Sequence, residues 1–297
     1  MRRWGIKGGM KSRLIAVPVA LRAIALLLLV LCVTARIASA DVPSATLDQG
    51  FRRLYDLDFS GAQKEFESWE QQNPGNPLGP VSEAAGVLFS EFNRLGVLEA
   101  QFYENDSVFA ARKKYEVNAE SRGRFEKQLS RAEELARARL GHNAKDRDAL
   151  LAMTLVFGLR SDFAALIEKR NLASLHYTKQ ATAWSEQLLA ADPKCYDGYL
   201  ASGISRYIIG SMAAPVRWFL SIGGINGDKA KGIAELQITA RDGRLLAPFA
   251  RILLAIAFVR EKQPAQAREL LLSLQNEFPN NLLFGRELAR LEPASRH

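Results

Sequence analysis

Cysteine is almost missing from this chain: Cys32 and Cys195 are the only two in 297 residues. Cys32 lies in an apolar leader, so the body of the protein keeps one thiol and no internal disulfide. Histidine is scarce too, with His142, His176 and His297. None lies three to five residues from another His or Cys, which excludes the usual metal-ligand motifs. Strand signals are equally poor, with little period-2 alternation and one Asn-Gly pair, Asn226-Gly227. Acidic residues are absent from positions 1–40, where seven basic ones stand: Arg2, Arg3, Lys7, Lys11, Arg13, Arg22 and Arg36. The basic character therefore belongs to the first forty residues; the rest carries 33 positive and 32 negative side chains, a net of +1. A global field attracting nucleic acid or an acidic partner is not expected from such a balance.

The same forty residues read as an export signal. A basic stretch precedes an unbroken apolar run at 23–33, the length of a signal core and short for a membrane span. Ala38-Ser39-Ala40 is a small-x-small cleavage site, so residues 1–40 are expected to leave and 41–297 to form the mature, periplasmic or otherwise exported chain. Met10 could open a leader of ordinary length. An uncleaved N-terminal membrane anchor is the alternative. A lipoprotein signal does not fit, because Leu31 stands before Cys32 where a small residue is needed. The later apolar stretches at 212–225 and 245–259 are interrupted by Arg217 and Arg251, and no further membrane helix is expected.

What is abundant is helix. Ala, Leu, Glu, Arg and Lys dominate, and apolar residues recur at i, i+3, i+4 and i+7. Phe59, Ala62, Phe66 and Trp69 make one stripe; Leu129, Ala132, Leu135 and Ala136 another. Three segments repeat a finer pattern: Ala62, Phe66, Trp69 and Pro74; Ala181, Ser185, Leu188 and Pro193; Ala267, Leu271, Leu274 and Pro279. A small residue lets two helices approach, positions +4 and +7 fill their seam, and proline at +12 ends the helix. This is the second-helix half of a tetratricopeptide repeat. Tyr199 with Gly203, and Leu254, Ala255 and Phe258, fit first-helix positions. Weaker anchors at Ala132 and Gly232 complete the series. The separation of Ala62 from Ala132 equals two units of about 35, and insertions of roughly 15 residues are expected mid-array. The expected fold is all-α, a tetratricopeptide-like α-solenoid of antiparallel helix pairs with helical insertions.

The last third carries a more specific likeness. It runs through Ser211-Met212-Ala213-Ala214-Pro215, Trp218-Phe219-Leu220, Gly227-Asp228-Lys229-Ala230-Lys231-Gly232, Leu253-Leu254, Ala267-Arg268-Glu269-Leu270-Leu271 and Phe278-Pro279-Asn280-Asn281-Leu282-Leu283-Phe284. This set resembles the C-terminal half of the tetratricopeptide-repeat-39 family and bacterial exported repeat proteins of unassigned role. The resemblance implies an all-helical interaction scaffold, sometimes associated with membranes or organelles. It implies no catalytic residue.

Chemistry is hard to find. There is no Gly-x-Ser-x-Gly elbow and no phosphate loop; Gly223-Gly224-Ile225-Asn226-Gly227-Asp228 lacks the Lys-Ser/Thr pair and reads as a turn, with Asp228 capping the next helix. Cys195 reads as a small packed residue. Carboxylate pairs Glu133/Glu134 and Asp146/Asp148 suit solvated helix faces and a helix start. Residues 101–125 mix both charges, which fits a solvated helix better than a nucleic-acid stripe. No enzyme activity, cofactor, metal or nucleic-acid partner is expected.

Binding surfaces remain. Helical-repeat arrays offer a concave face lined by their first helices. On the repeat register Tyr199, Arg206, Tyr207 and Arg260 are the contact candidates for a protein or peptide, although both tyrosines could instead fill the seam between helices. The insert at 212–225, with Arg217 and Trp218, has two readings. It packs across the groove like a lid, the favoured reading because one basic residue anchors a membrane poorly, or it turns an apolar face to a lipid or partner as a peripheral membrane contact.

Overall fold

The computed structural model describes residues 46–99 and 114–291, apart from Gly223, Ile225 and the side chain of Phe219. The expected export signal, the first part of the mixed-charge segment (101–113) and His297 lie outside the described residues. Those described belong to the unit Ala45–His297.

Twelve α-helices and no strand are found among the described residues: α1 (Leu47–Tyr55), α2 (Phe59–Gln72), α3 (Leu78–Arg94), α4 (Ala119–His142), α5 (Arg147–Asp162), α6 (Asn171–Ala191), α7 (Tyr199–Ser211), α8 (Ala214–Ile222), α9 (Lys229–Asp242), α10 (Ala247–Arg260), α11 (Pro264–Glu277) and α12 (Leu282–Leu291). Several start on a side-chain cap. Thr46 and Gln49 cap α1 reciprocally, at 3.1 Å each way. Asp58, Asp146 and Asp228 accept the N–H groups of Gly61, Ala149 and Lys231 to open α2, α5 and α9.

Apart from α8, every helix packs on the next one in the chain. The result is a tetratricopeptide-like α-solenoid of five antiparallel pairs, α1/α2, α3/α4, α5/α6, α7/α9 and α10/α11, with α12 as a closing helix. The second helices bury their small anchors. Ala62, Ala132 and Ala267 are fully enclosed, Ala181 nearly so, and Phe66, Leu188 and Leu274 fill the seams beside them. At Gly232 the need for a small residue is absolute. A Cβ there would stand 2.5 Å from the Tyr207 nitrogen and 2.7 Å from the Gly203 carbonyl oxygen, so α7 and α9 meet backbone to backbone.

Two expectations need correction. Ala62 and Ala132 are one repeat apart, not two. Helix α2 leads to the pair α3/α4, and the long connection between those two helices takes up the extra residues. A 70-residue gap mimics two units because an insertion and a repeat happen to have similar lengths. The second correction concerns membrane-like runs. Residues Arg147–Ile167, comprising α5 and a following π-helical turn (Phe163–Ile167), are long and apolar enough to span a membrane by length and composition. Two thirds of that stretch (67%) is buried inside the protein, where Leu150, Met153, Val156 and Ile167 form the middle of the core.

The two ends of the array meet. The Tyr55 ring lies 5.8 Å from that of Phe278, and its hydroxyl donates to the Leu245 carbonyl at 3.0 Å. Asn281 donates to the Tyr55 carbonyl at 2.8 Å, the Asn280 N–H to Asp56 at 2.9 Å, and Arg52 pairs with Glu277 at 2.7 Å. Arg244 also pairs with Asp48. Burial together with the nearby Asp197 carboxylate pushes the Tyr55 phenol up, so it stays a neutral donor in this joint. Helix α1 thus docks on the segment running from α10 to α12, and the concave side of the array becomes a chamber.

Candidate functional site

The chamber is lined mainly by first helices, as repeat geometry requires. Leu54 and Tyr55 come from α1, Phe89 and Phe92 from α3, Ile204 from α7, Phe249, Ile252, Leu253 and Ile256 from α10, and Phe284 from α12. Its free volume is about 130 Å³. Edge-to-face contact of Phe89 with Phe249, at 5.5 Å, fixes one part of the wall. Such a volume lined by apolar groups is close in size to an engineered 150 Å³ protein cavity that stays dry and takes up benzene.

One acid stands in this wall. Asp162 ends α5 where the helix passes into its π turn, and it lines the chamber. Asp162 is half-buried in this wall. Burial alone pushes its carboxyl up to about 7. No hydrogen bond or ion pair to its side chain is found among the described residues. Glu287, the other acid of the wall, is paired with Arg290 at 2.7 Å. Among the described lining residues none is Lys or Arg.

The six residues singled out in the sequence do not line this chamber among the described residues. Tyr207 is buried in the seam between α7 and α10, with its hydroxyl 3.4 Å from the Ala257 carbonyl and 3.3 Å from Glu261. Burial, with Glu261 nearby, raises its phenol. It serves packing, and a partner cannot reach it. Arg206 lies between α7, α9 and α6, paired with Glu235 and, at 3.7 Å, with Glu186. The chamber residue on α7 is Ile204; two residues along a helix is a turn of about 200°, which sends Arg206 to the opposite side. Tyr199 is half-buried at the start of α7, and Arg260 is half-buried one turn beyond Ile256 on α10. Arg217 donates to the Gly210 carbonyl at 3.0 Å and so closes the end of α7.

Trp218 is the most accessible of the six. The insert forms helix α8, in which no described residue is buried; Val216, Trp218 and Ile222 are 47%, 68% and 68% exposed. The lid reading is therefore corrected. Helix α8 contributes nothing to the described chamber wall and turns apolar side chains outward.

Cys195 is buried beside the Arg147 guanidinium, and burial raises its thiol, which fits a packed residue. His142 ends α4 in solvent, and His176 bonds Gln180 at 2.7 Å. Among the described residues no group of His, Cys, Asp and Glu is placed to hold a metal ion.

No protein-family model matches the chain, and a search of curated proteins finds no match. Among solved structures, the chain is similar to a thermophilic tetratricopeptide-repeat protein from Thermus thermophilus. The identity is 15%, the TM-score 0.42, and the alignment covers 83% of this chain and 98% of that one. At that distance the helix pairs themselves, and not the likeness, carry the assignment of the repeat fold.

Asp162 is the residue that sequence reasoning missed. A signal was present: it is an acid inside a long apolar helical run, Arg147–Ile167. Its meaning depended on knowing that this end of α5 faces an enclosed space.

Proposed function

We propose that the protein is an exported, non-enzymatic helical-repeat scaffold that binds a protein or peptide partner, with α8 as its docking element. The observation that carries this reading is the outward apolar face of α8, since an exposed tryptophan with two flanking aliphatic residues on a helix is a typical anchor for a partner. Arg217 on α8 and the half-buried Tyr199, Arg206 and Arg260 elsewhere remain candidate contact residues. The motif likeness to the tetratricopeptide-repeat-39 family is consistent with a scaffold role. Export rests on the leader alone. Replacing Trp218 with a photo-crosslinking phenylalanine analogue tests the docking role: one dominant adduct in a periplasmic extract is expected, and scattered or absent adducts would remove it. Mass spectrometry of the secreted chain should find Asp41 at its N-terminus.

A second reading is favoured by a different observation. The small free volume and apolar lining of the chamber suit a small apolar ligand better than an extended peptide. Under this reading the protein is a carrier or sensor of such a ligand, and α8 presents it to a membrane or partner.

A further inference from the structure

The chamber has more specificity than its apolar lining suggests. An apolar pocket takes most hydrocarbons of the right size; a single polar group inside it selects their heads. Here that group is Asp162. Its carboxyl has no partner among the described residues and stands in an otherwise apolar wall, where an ionised group is poorly solvated. A ligand that supplied a donor would recover that cost. The charge of the wall narrows the donor. With the Asp162 carboxyl in the wall and no base among the described lining residues, nothing in the described wall pairs with a carboxylate or phosphate. A lone carboxylate with no second ligand beside it is also a poor metal site.

We propose that the chamber binds a small apolar amine, its ammonium group against the Asp162 carboxylate and its hydrocarbon body against Phe89, Phe249, Ile252 and Leu253. The inference rests on the ligand-binding reading of the chamber and adds the class of ligand to it. The ammonium donates to the carboxylate, and the apolar body displaces no ordered polar contact from the wall. Size sets the limit: about 130 Å³ suits one aromatic ring or a chain of similar bulk. Because burial lifts the Asp162 carboxyl to about 7, part of the population must release a proton before an amine binds. An alkyl or benzylic amine stays protonated well above that range. Affinity for the amine therefore rises with pH between about 6 and 8 and then levels, the sign opposite to that for a carboxylate ligand.

Benzylamine, benzyl alcohol and benzoate share one body and differ in the head, so they separate the possibilities. Titration of the full chain followed by NMR should rank benzylamine above benzyl alcohol by about tenfold at pH 8, the size of one charge-assisted hydrogen bond after desolvation. Benzoate should not bind measurably. Asp162→Asn should bring amine and alcohol within about twofold of each other and abolish the pH dependence, while leaving the alcohol bound. This variant removes a charge that burial disfavours, so it is expected to fold. Leu253→Trp fills the chamber and should abolish binding of benzylamine and benzyl alcohol, with its helical circular dichroism as the folding check. If alcohol and amine bind equally to the unmodified protein, or benzoate binds best, the amine assignment is overturned while the ligand-binding reading survives. If none of the three binds at millimolar concentration, both are overturned.

Discussion

The protein has two apolar surfaces, and they face opposite ways. The chamber wall is made largely of residues at regular places in the repeats: Leu54, Phe89, Ile204 and Phe249 sit on first helices, and Phe284 on the closing helix. Helix α8 is an insertion between the two helices of one pair, and Val216, Trp218 and Ile222 point to solvent. The hydrophobic effect acts on both in the same way, at roughly 25 cal/mol for each Å² removed from water. What differs is whether the chain itself supplies a cover. Docking of α1 on the segment from α10 to α12 covers the first surface, and nothing in the described residues covers the second. One apolar set therefore stabilises the fold, and the other remains available for binding.

Substitutions should separate the two surfaces sharply. The largest effect is expected from Phe284→Ala, which removes a buried ring from the chamber wall and the closing joint; a loss of about 3–5 kcal/mol in chemical denaturation is expected. A loss below about 1 kcal/mol would mean that the chamber is loosely closed. Asp197→Ala attacks the same wall through its polar support. The buried carboxylate accepts the N–H groups of Arg244, Leu245 and Leu246, at 2.9, 3.1 and 3.1 Å, and so holds the start of α10. Without it those donors are stranded, at an expected cost of about 3 kcal/mol, and hydrogen exchange should accelerate first at residues 244–250.

A smaller, pH-dependent effect comes from the α2–α3–α4 seam, far from α8 in the sequence. Glu83 is buried, hydrogen-bonded to Glu70, and accepts from Gln63 at 3.1 Å and Gln128 at 2.5 Å. Burial, then the bond to Glu70 and its charge, push the Glu83 carboxyl up to about 8. Its folded value lies above its unfolded one, so its contribution is fully present below about 4.5 and is lost as pH rises toward 8. Glu83→Gln keeps the neutral hydrogen-bonding pattern at every pH. It should add about 1–2 kcal/mol at pH 8 and almost nothing at pH 4.5, read from melting curves at both values. A gain of equal size at the two pH values would remove the shared-proton account. The smallest effect belongs to the outer surface. Trp218→Ser should change stability by less than about 0.5 kcal/mol, since the side chain is mostly solvated already. A loss of about 2 kcal/mol or more would show that α8 is part of the core after all.

Much of the fold was readable from spacing. Ala62, Ala181 and Ala267 each precede a buried residue at +4 and a proline at +12, because two helices can touch only where one of them offers a small side chain. The cap at Asp228 was readable for an equally local reason. The site was less legible. Tyr207 and Ile204 lie three positions apart on one helix; which of them reaches open space depends on how α10 packs against α7. The length of the connection between α3 and α4 was also hidden, since residue counts cannot tell a repeat from an insertion of similar size.

Helix content, the antiparallel pairing and the positions of the seams follow from the sequence alone, because each depends on side chains within about one repeat of one another. Closure of the array does not. It requires Tyr55 to meet Phe278 and Asn281 across more than two hundred residues, contacts for which no local period exists. That long-range joint turned a concave face into a chamber. It also set Asp162 in the wall of that chamber, and it left α8 outside.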